Sequence, residues 1–317
     1  MNKLMFAGMV LLLNIGLVFA HNNKAYITNA ASPSSIAMCT LHPVTGQFEN
    51  CEDYFLDNLS TPLDIAFAGQ YAYIANNNYP ANITQCQFNH LGELNACTLS
   101  DVPSYSGINF HQSDALYAYL SYGSSTVQKC KVSQDGQLEN HNCSDSGAGP
   151  IFLNGPMYIT FKTFNTMAYA YIANGDYQIG ASIIQCKVGT NGGFYNCQDS
   201  GAGPNFDGAA DVDFATIANH TYAYISEPGG AITKCSVDPH DGLFSNCTKT
   251  GNNFHTPIGI SFKTIKNTLY AYVVDGGFNS PIYNTVLQCT VDLFGDLDCL
   301  DSGVGDVFSN PFGIKVF

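Results

Sequence analysis

Twelve cysteines fall into six pairs along this chain: Cys39/Cys51, Cys86/Cys97, Cys130/Cys143, Cys186/Cys197, Cys235/Cys247 and Cys289/Cys299. They run in step with six copies of an aromatic segment, Ala25-Tyr26-Ile27, Tyr71-Ala72-Tyr73-Ile74, Tyr117-Ala118-Tyr119-Leu120, Tyr169-Ala170-Tyr171-Ile172, Tyr222-Ala223-Tyr224-Ile225 and Tyr270-Ala271-Tyr272-Val273. A period of roughly 45–55 residues with constant content marks an array of identical supersecondary units. The repeat constrains the architecture far more than the chemistry.

One unit reads as four strands. The first ends in an apolar-x-Phe pattern, as in Asp64-Ile65-Ala66-Phe67 and Gly259-Ile260-Ser261-Phe262. The second is the tyrosine segment, the third carries the first cysteine, and the fourth carries the second cysteine after a glycine turn. Period-two alternation, aromatic and β-branched enrichment, and Gly/Asn/Pro/Asp punctuation all predict strands. No stretch beyond the N-terminal segment predicts a helix.

The ends of the repeat choose between an open array and a ring. The first unit begins at a second strand, Lys24-Ala25-Tyr26-Ile27, and the chain finishes on a first strand, Asn310-Pro311-Phe312-Gly313-Ile314-Lys315-Val316-Phe317. An open array would leave both partial units with unpaired edges, which is costly. A ring pairs them. The expected fold is therefore all-β: a six-bladed β-propeller of four antiparallel strands per blade, closed by the C-terminal strand.

In each blade a cysteine pair would face across the hairpin of strands three and four, as with Cys39 and Cys51 around Gly46. That geometry suits a disulfide. Metal binding is disfavoured, because no C-x-x-C occurs and no histidine recurs with the pairs. Each closed loop should contribute roughly 2–3 kcal/mol in the chain-entropy model.

The first 20 residues read as a secretory signal. Lys3 supplies the charged start, Leu4 to Val18 the apolar run, and Val18-Phe19-Ala20 a small-residue cleavage site. The run is short for a membrane span and Asn14 interrupts it. Residues 21–317 then form one propeller domain, exported and not inserted in a membrane, with a monomer expected. Charged residues make up 11% of the chain, the net charge is −14, and arginine is absent. Without arginine clamps or a basic stripe, nucleic acid is a poor partner.

Tyr26-Ile27-Thr28-Asn29, Tyr73-Ile74-Ala75-Asn76 and Tyr171-Ile172-Ala173-Asn174 resemble the Tyr-Val-Thr-Asn signature of the YVTN-type β-propellers. The preceding Pro-x-x-Ile-x-Phe of Pro62 to Phe67 and Pro257 to Phe262 is similar to that family's repeat. The resemblance implies a secreted or surface propeller, with lactonase-type enzymes among similar sequences. The cysteine pairs depart from the usual repeat, and fold does not set activity.

Three groups of residues are candidates for function. Aligned repeats put Asn29, Asn76, Tyr122, Asn174, Glu227 and Asp275 at one position after the second strand. Such oxygen ligands suit Ca²⁺, and lactonase-like propellers hold a divalent ion near the axis with similar residues. The simpler expectation is that they serve the turn locally. The repeated Asp145-Ser146-Gly147, Asp199-Ser200-Gly201 and Asp301-Ser302-Gly303 read as turns between blades, followed by Phe152, Phe206, Phe254 and Phe308 as plugs. No G-x-S-x-G elbow occurs, and the eight histidines keep no fixed partner. Five N-x-S/T sequons, at Asn58, Asn82, Asn142, Asn219 and Asn246, matter only in a glycosylating host.

The third candidate breaks the repeat. The loop after the second strand is longest in blades four and six and carries Tyr79, Tyr177, and Phe278 with Tyr283 in blades two, four and six. Variable aromatic loops on a rigid scaffold build binding surfaces. The alternative is that these rings fold back over blade edges. The sequence thus favours a secreted binding protein for a protein or glycan partner over a metal-dependent lactonase-type hydrolase or a structural surface protein.

Overall fold

The computed structural model describes residues 23–78, 81–104, 106–122, 126–149, 155–175, 181–202, 206, 208–276, 284–304 and 307–317. Six four-stranded antiparallel sheets form six blades. The innermost strands are Pro62–Ala68, Ile108–Gln112, Pro156–Phe164, Asp211–Ile217, Pro257–Ile265 and Pro311–Val316, and each packs beside the next around a central axis. Helix is nearly absent among the described residues. A 3₁₀ turn at Asn140–Asn142 shortens the outer strand of blade three to Cys143–Asp145.

Blade one is completed from both ends of the chain. Its innermost strand, Pro311–Val316, pairs antiparallel with Lys24–Asn29, placing Ala25 opposite Val316 and Ile27 opposite Ile314. The ring closes as the partial units require, and neither is left with an unpaired partner strand.

The tyrosine segment is explained by what it meets on each side. Its second tyrosine (Tyr26, Tyr73, Tyr119, Tyr171, Tyr224, Tyr272) is fully buried between blades. In all six cases the phenol donates to the carbonyl oxygen of the turn glycine in the next blade's outer hairpin, at 2.6–2.8 Å. The alanine just before the buried tyrosine lies directly opposite the first cysteine of its blade in every repeat, from Ala25 and Cys39 to Ala271 and Cys289. A small side chain there leaves room for the disulfide.

All six expected disulfides form, one per blade: Cys39–Cys51, Cys86–Cys97, Cys130–Cys143, Cys186–Cys197, Cys235–Cys247 and Cys289–Cys299. No described cysteine is free. Each pair faces across its hairpin as expected, with Cα atoms 3.9–4.0 Å apart, but the ladder around the bridge differs between blades. Cys130 lies directly opposite Cys143, and Cys289 opposite Cys299. In the other four blades the register shifts at the bridge, so Cys51, Cys97, Cys197 and Cys247 fall in an irregularity of the ladder. The residues just before them, Asn50, Ala96, Asn196 and Asn246, have positive φ. A bulge residue in that conformation favours asparagine, which accounts for the recurrent Asn-Cys. The two partners also differ in exposure. Every first cysteine is fully buried, whereas Cys97, Cys247 and the other second cysteines are partly exposed, except for the buried Cys299. Six such bridges mark an extracytoplasmic protein.

Candidate functional site

The inner strands begin, and the second strands end, on one face, here called the upper face. Loops from second to third strand emerge there. Their lengths break the sixfold repeat: the gaps run 30–34, 77–81, 123–125, 175–181, 228–230 and 276–284. Tyr79, Tyr177, Phe278 and Tyr283 lie outside the described residues, so their flanks define the site. A cavity of about 330 Å³ opens on this face between blades one and two. Pro33, Phe55, Leu59 and Asn78 are among its walls, and Asn78 abuts the blade-two loop.

The polar ring lies at the ends of the second strands, one strand out from the axis. Asn29, Asn76, Asn174, Glu227 and Asp275 are all buried. Each of them bonds within its own neighbourhood. Asn29 donates to Ser35, Asp53 and the carbonyl of Val307, and Asn76 to Thr84 and the carbonyl of Asn82. Asn174 donates to Ser182 at 3.4 Å. Glu227 accepts from Thr233 and Lys249, and Asp275 from the amides of His255 and Thr256. His255 also brings its Nδ1 within 3.3 Å of Asp275, a pairing the sequence spacing did not reveal. Among the described residues no three His, Cys, Asp or Glu side chains lie close enough to hold a metal ion.

The axis itself carries a charge cluster that sequence reasoning missed. Period-two alternation turns the first and third positions of each Asp64-Ile65-Ala66-Phe67-like segment toward the axis. Blades two and five supply Asp64, Asp211 and Asp213 there, and blade one supplies Lys315. Asp64 and Asp211 each bridge to the next blade, accepting from the amides of Ile108 at 2.9 Å and Ile260 at 3.1 Å. Burial pushes Asp64 up to about 7 and Asp213 to about 6, against the opposing pull of Lys315. Burial also raises Asp211. For Lys315 burial acts downward, but the three carboxylates outweigh it and the ammonium is held more strongly than usual. One half-buried cation serves three acids, so the acids stay under-compensated.

Beside this cluster, at the upper ends of the inner strands, lies a group of buried apolar side chains. Ala30, Leu63, Tyr158, Ala210, Ile258 and Phe312 pack together in it. The Tyr158 phenol reaches across the ring to the carbonyl of Leu63 at 2.7 Å.

The remaining candidates are structural in their contacts. The cysteines act as staples: Cys97, Cys247 and Cys299 sit on outermost strands, and each is tied to the third strand of its own blade. Asp145, Asp199 and Asp301 each accept the amide of the glycine two residues on, at 2.6–2.7 Å, which is an Asx turn. Phe308 is buried in the cluster joining blades six and one, Phe206 and Phe254 pack against neighbouring clusters, and Phe152 lies outside the described residues. On the lower face, a cavity of about 610 Å³ between blades three and four is lined by His111, Asp114, Thr163, Met167 and Tyr195 among others. His111 stacks on Phe161, and burial lowers its pKa.

No protein-family model and no curated protein matches this sequence. Solved structures do match in fold. A protein of Bacteroides fragilis described as a candidate 6-phosphogluconolactonase superposes with a TM-score of 0.60 at 14% identity, covering 93% of this chain and 98% of that one. The periplasmic gluconolactonase of Pseudomonas aeruginosa superposes with a TM-score of 0.55 at 14% identity, over 92% of this chain and 85% of that one. A Bacteroides uniformis protein with the same candidate activity gives 0.54 at 16% identity, over 92% and 84%. At these identities the likeness establishes the propeller fold.

Proposed function

We propose that this chain is an exported, monomeric binding protein of the YVTN propeller type, whose upper-face loops grip a protein or glycan partner. Residues 1–20 act as its export signal. The observation that carries the reading is the upper-face cavity of about 330 Å³ between blades one and two, beside the loop that contains Tyr79. That volume suits one sugar ring or one anchoring side chain. Loops of unequal length follow the second strands, while six Tyr–Gly bonds and six disulfides hold the blades together beneath them. Rigid support limits the ordering cost of binding. The test grafts the three-residue loop of blade five, 228–230, in place of residues 77–81, which border that cavity. Glycan arrays and affinity capture of extracellular proteins should show binding by the native protein that the graft loses. Equal binding by both would remove the reading's support.

The lactonase reading draws on Glu227 and Asp275 in the polar ring and on the candidate lactonases that share the fold. Against it, Glu227 is already neutralised by Lys249, and Asp275 is occupied by two backbone amides. A cation would have to displace these partners. Calorimetry with Ca²⁺ on the native protein, Glu227→Gln and Asp275→Asn, beside a lactone hydrolysis assay, separates the two readings.

A further inference from the structure

Among the described residues, the exposed large hydrophobic side chains are unevenly distributed around the ring. Leu293, Phe294 and Leu300 belong to blade six, Val44 and Phe55 to blade one, and Leu91 and Leu99 to blade two. Tyr195, in blade four, is the exception. These three blades are consecutive around the closure. Leu293, Phe294 and Leu300 are 79%, 74% and 74% exposed, far beyond what blade packing requires. At the corresponding hairpin tips, blades three, four and five carry Gln134-Asp135, Thr190-Asn191 and His240-Asp241. Clustered apolar exposure on one arc marks an interaction surface.

Charge divides along the same line. The outer hairpins of blades six, one and two, residues 285–301, 35–54 and 82–103, contain nine carboxylates and no lysine. Those of blades three, four and five, residues 126–145, 182–199 and 231–250, contain six carboxylates and five lysines. One rim acid, Asp296, is paired with Lys234 of blade five. The apolar arc is thus set in a field of one sign, while the opposite half of the ring is nearly balanced. The outer strands here also lack the lysines that commonly blunt a sheet edge.

We propose that the outer rim of blades six, one and two is a second docking surface, for a lysine- or arginine-rich amphipathic polypeptide. The apolar face of such a partner covers Phe294, Val44 and Leu91, and its basic flanks meet Glu49, Glu52 and Asp298. The surface is preformed, because Tyr224, Tyr272 and Tyr26 fasten the turns at Gly295, Gly46 and Gly92 to the preceding blades. Opposite charge speeds encounter and selects the partner, while the apolar anchors supply affinity. Phe55 lies beyond the outer strand of blade one and walls the upper-face cavity, so it belongs to that site, and the rim surface proposed here is carried by the hairpin tips at Phe294, Val44 and Leu91.

The test measures binding of a labelled Lys/Leu amphipathic peptide of about 18 residues, roughly five helical turns, to the full chain by fluorescence anisotropy. A Lys/Ser peptide of equal charge is the control probe. The variants are the pair Leu91→Ser with Phe294→Ser, the pair Glu52→Lys with Asp298→Lys, and the opposite-half controls Tyr195→Ser and Glu139→Lys. Each rim pair should weaken Lys/Leu binding about tenfold or more, and the controls should bind as the native protein does. Melting temperatures check folding, and the charge pair keeps the test decisive if the serine pair fails to fold. Rim variants that bind like the native protein would overturn the proposal. So would a Lys/Ser peptide that binds as tightly as Lys/Leu, or sedimentation showing that the arc is covered by a second copy of this chain. Rim variants should still bind an upper-face partner, so the two surfaces succeed or fail independently.

Discussion

The phenol of Tyr272 donates to the carbonyl oxygen of Gly46 at 2.7 Å, joining residues 226 positions apart across the closure of the ring. Gly46 has φ of 68°, and a Cβ there would sit 2.6 Å from the Tyr272 oxygen. The turn glycine and the buried tyrosine are therefore one device. Tyr272→Phe should cost about 1 kcal/mol, the worth of a buried hydrogen bond. Gly46→Ala should cost about 2 kcal/mol or more, since it adds a left-handed alanine to the clash. Urea unfolding midpoints measure both. A harmless Gly46→Ala would contradict the lock.

The disulfides stabilise each blade separately. Replacing Cys186 and Cys197 together by alanine should lower stability by roughly 2–3 kcal/mol, and peptide mapping without reductant should recover only within-blade links. A major cross-blade link would contradict the arrangement.

Closure by the final strand can be tested by truncation. Removing Pro311 to Phe317 strips blade one of its innermost strand and removes Lys315 from the axis. The truncated chain should melt far below the intact one, or fail to fold. An unchanged melting curve would mean that the strand is dispensable.

The axial acids make stability depend on pH. Asp64 and Asp213 titrate in the fold near 7 and 6, against about 4 in an unfolded chain. The unfolded chain releases these protons first, so stability should fall as pH rises from about 4 to about 7 and level off above that. Lys315 stays protonated throughout this window and is worth most once the acids ionise. Lys315→Met should therefore cost about 3 kcal/mol near pH 8 and clearly less near pH 5. An equal loss at both pH values would show that Lys315 acts only by packing.

The blades, the disulfides and the closing strand were legible in the sequence because each repeats as a local pattern with one dominant outcome. Tyr-Ala-Tyr followed by a cysteine can pair in only one register once both sheet faces are buried. The bulges beside Cys97 and Cys247 were less legible, since a one-residue shift in an outer hairpin leaves the cysteine spacing almost unchanged. The axial cluster was not legible. Asp213 and Lys315 share the third position of equivalent inner-strand segments, where the other blades place Ala66, Asn109, Thr160 and Ser261, while Asp64 and Asp211 stand at the first. The repeat masks a cluster assembled from distant blades. The ring position, expected just after the second strand, is that strand's last residue, and the partners of Glu227 and Asp275 come from elsewhere in the fold. Lys249 lies on an outer strand and His255 between blades. No spacing rule links those pairs.

The central claim is that the upper-face loops bind a partner and do not support the fold. Its most direct measurement is the dissociation constant of the captured partner for the triple variant Tyr79→Ala, Tyr177→Ala and Tyr283→Ala, taken beside its melting temperature. Large exposed aromatics add contact area at little entropic cost. The account predicts an almost unchanged melting temperature and binding weakened about tenfold or more. A variant that melts early yet binds normally when folded would contradict it, because those rings would then be packing the blades.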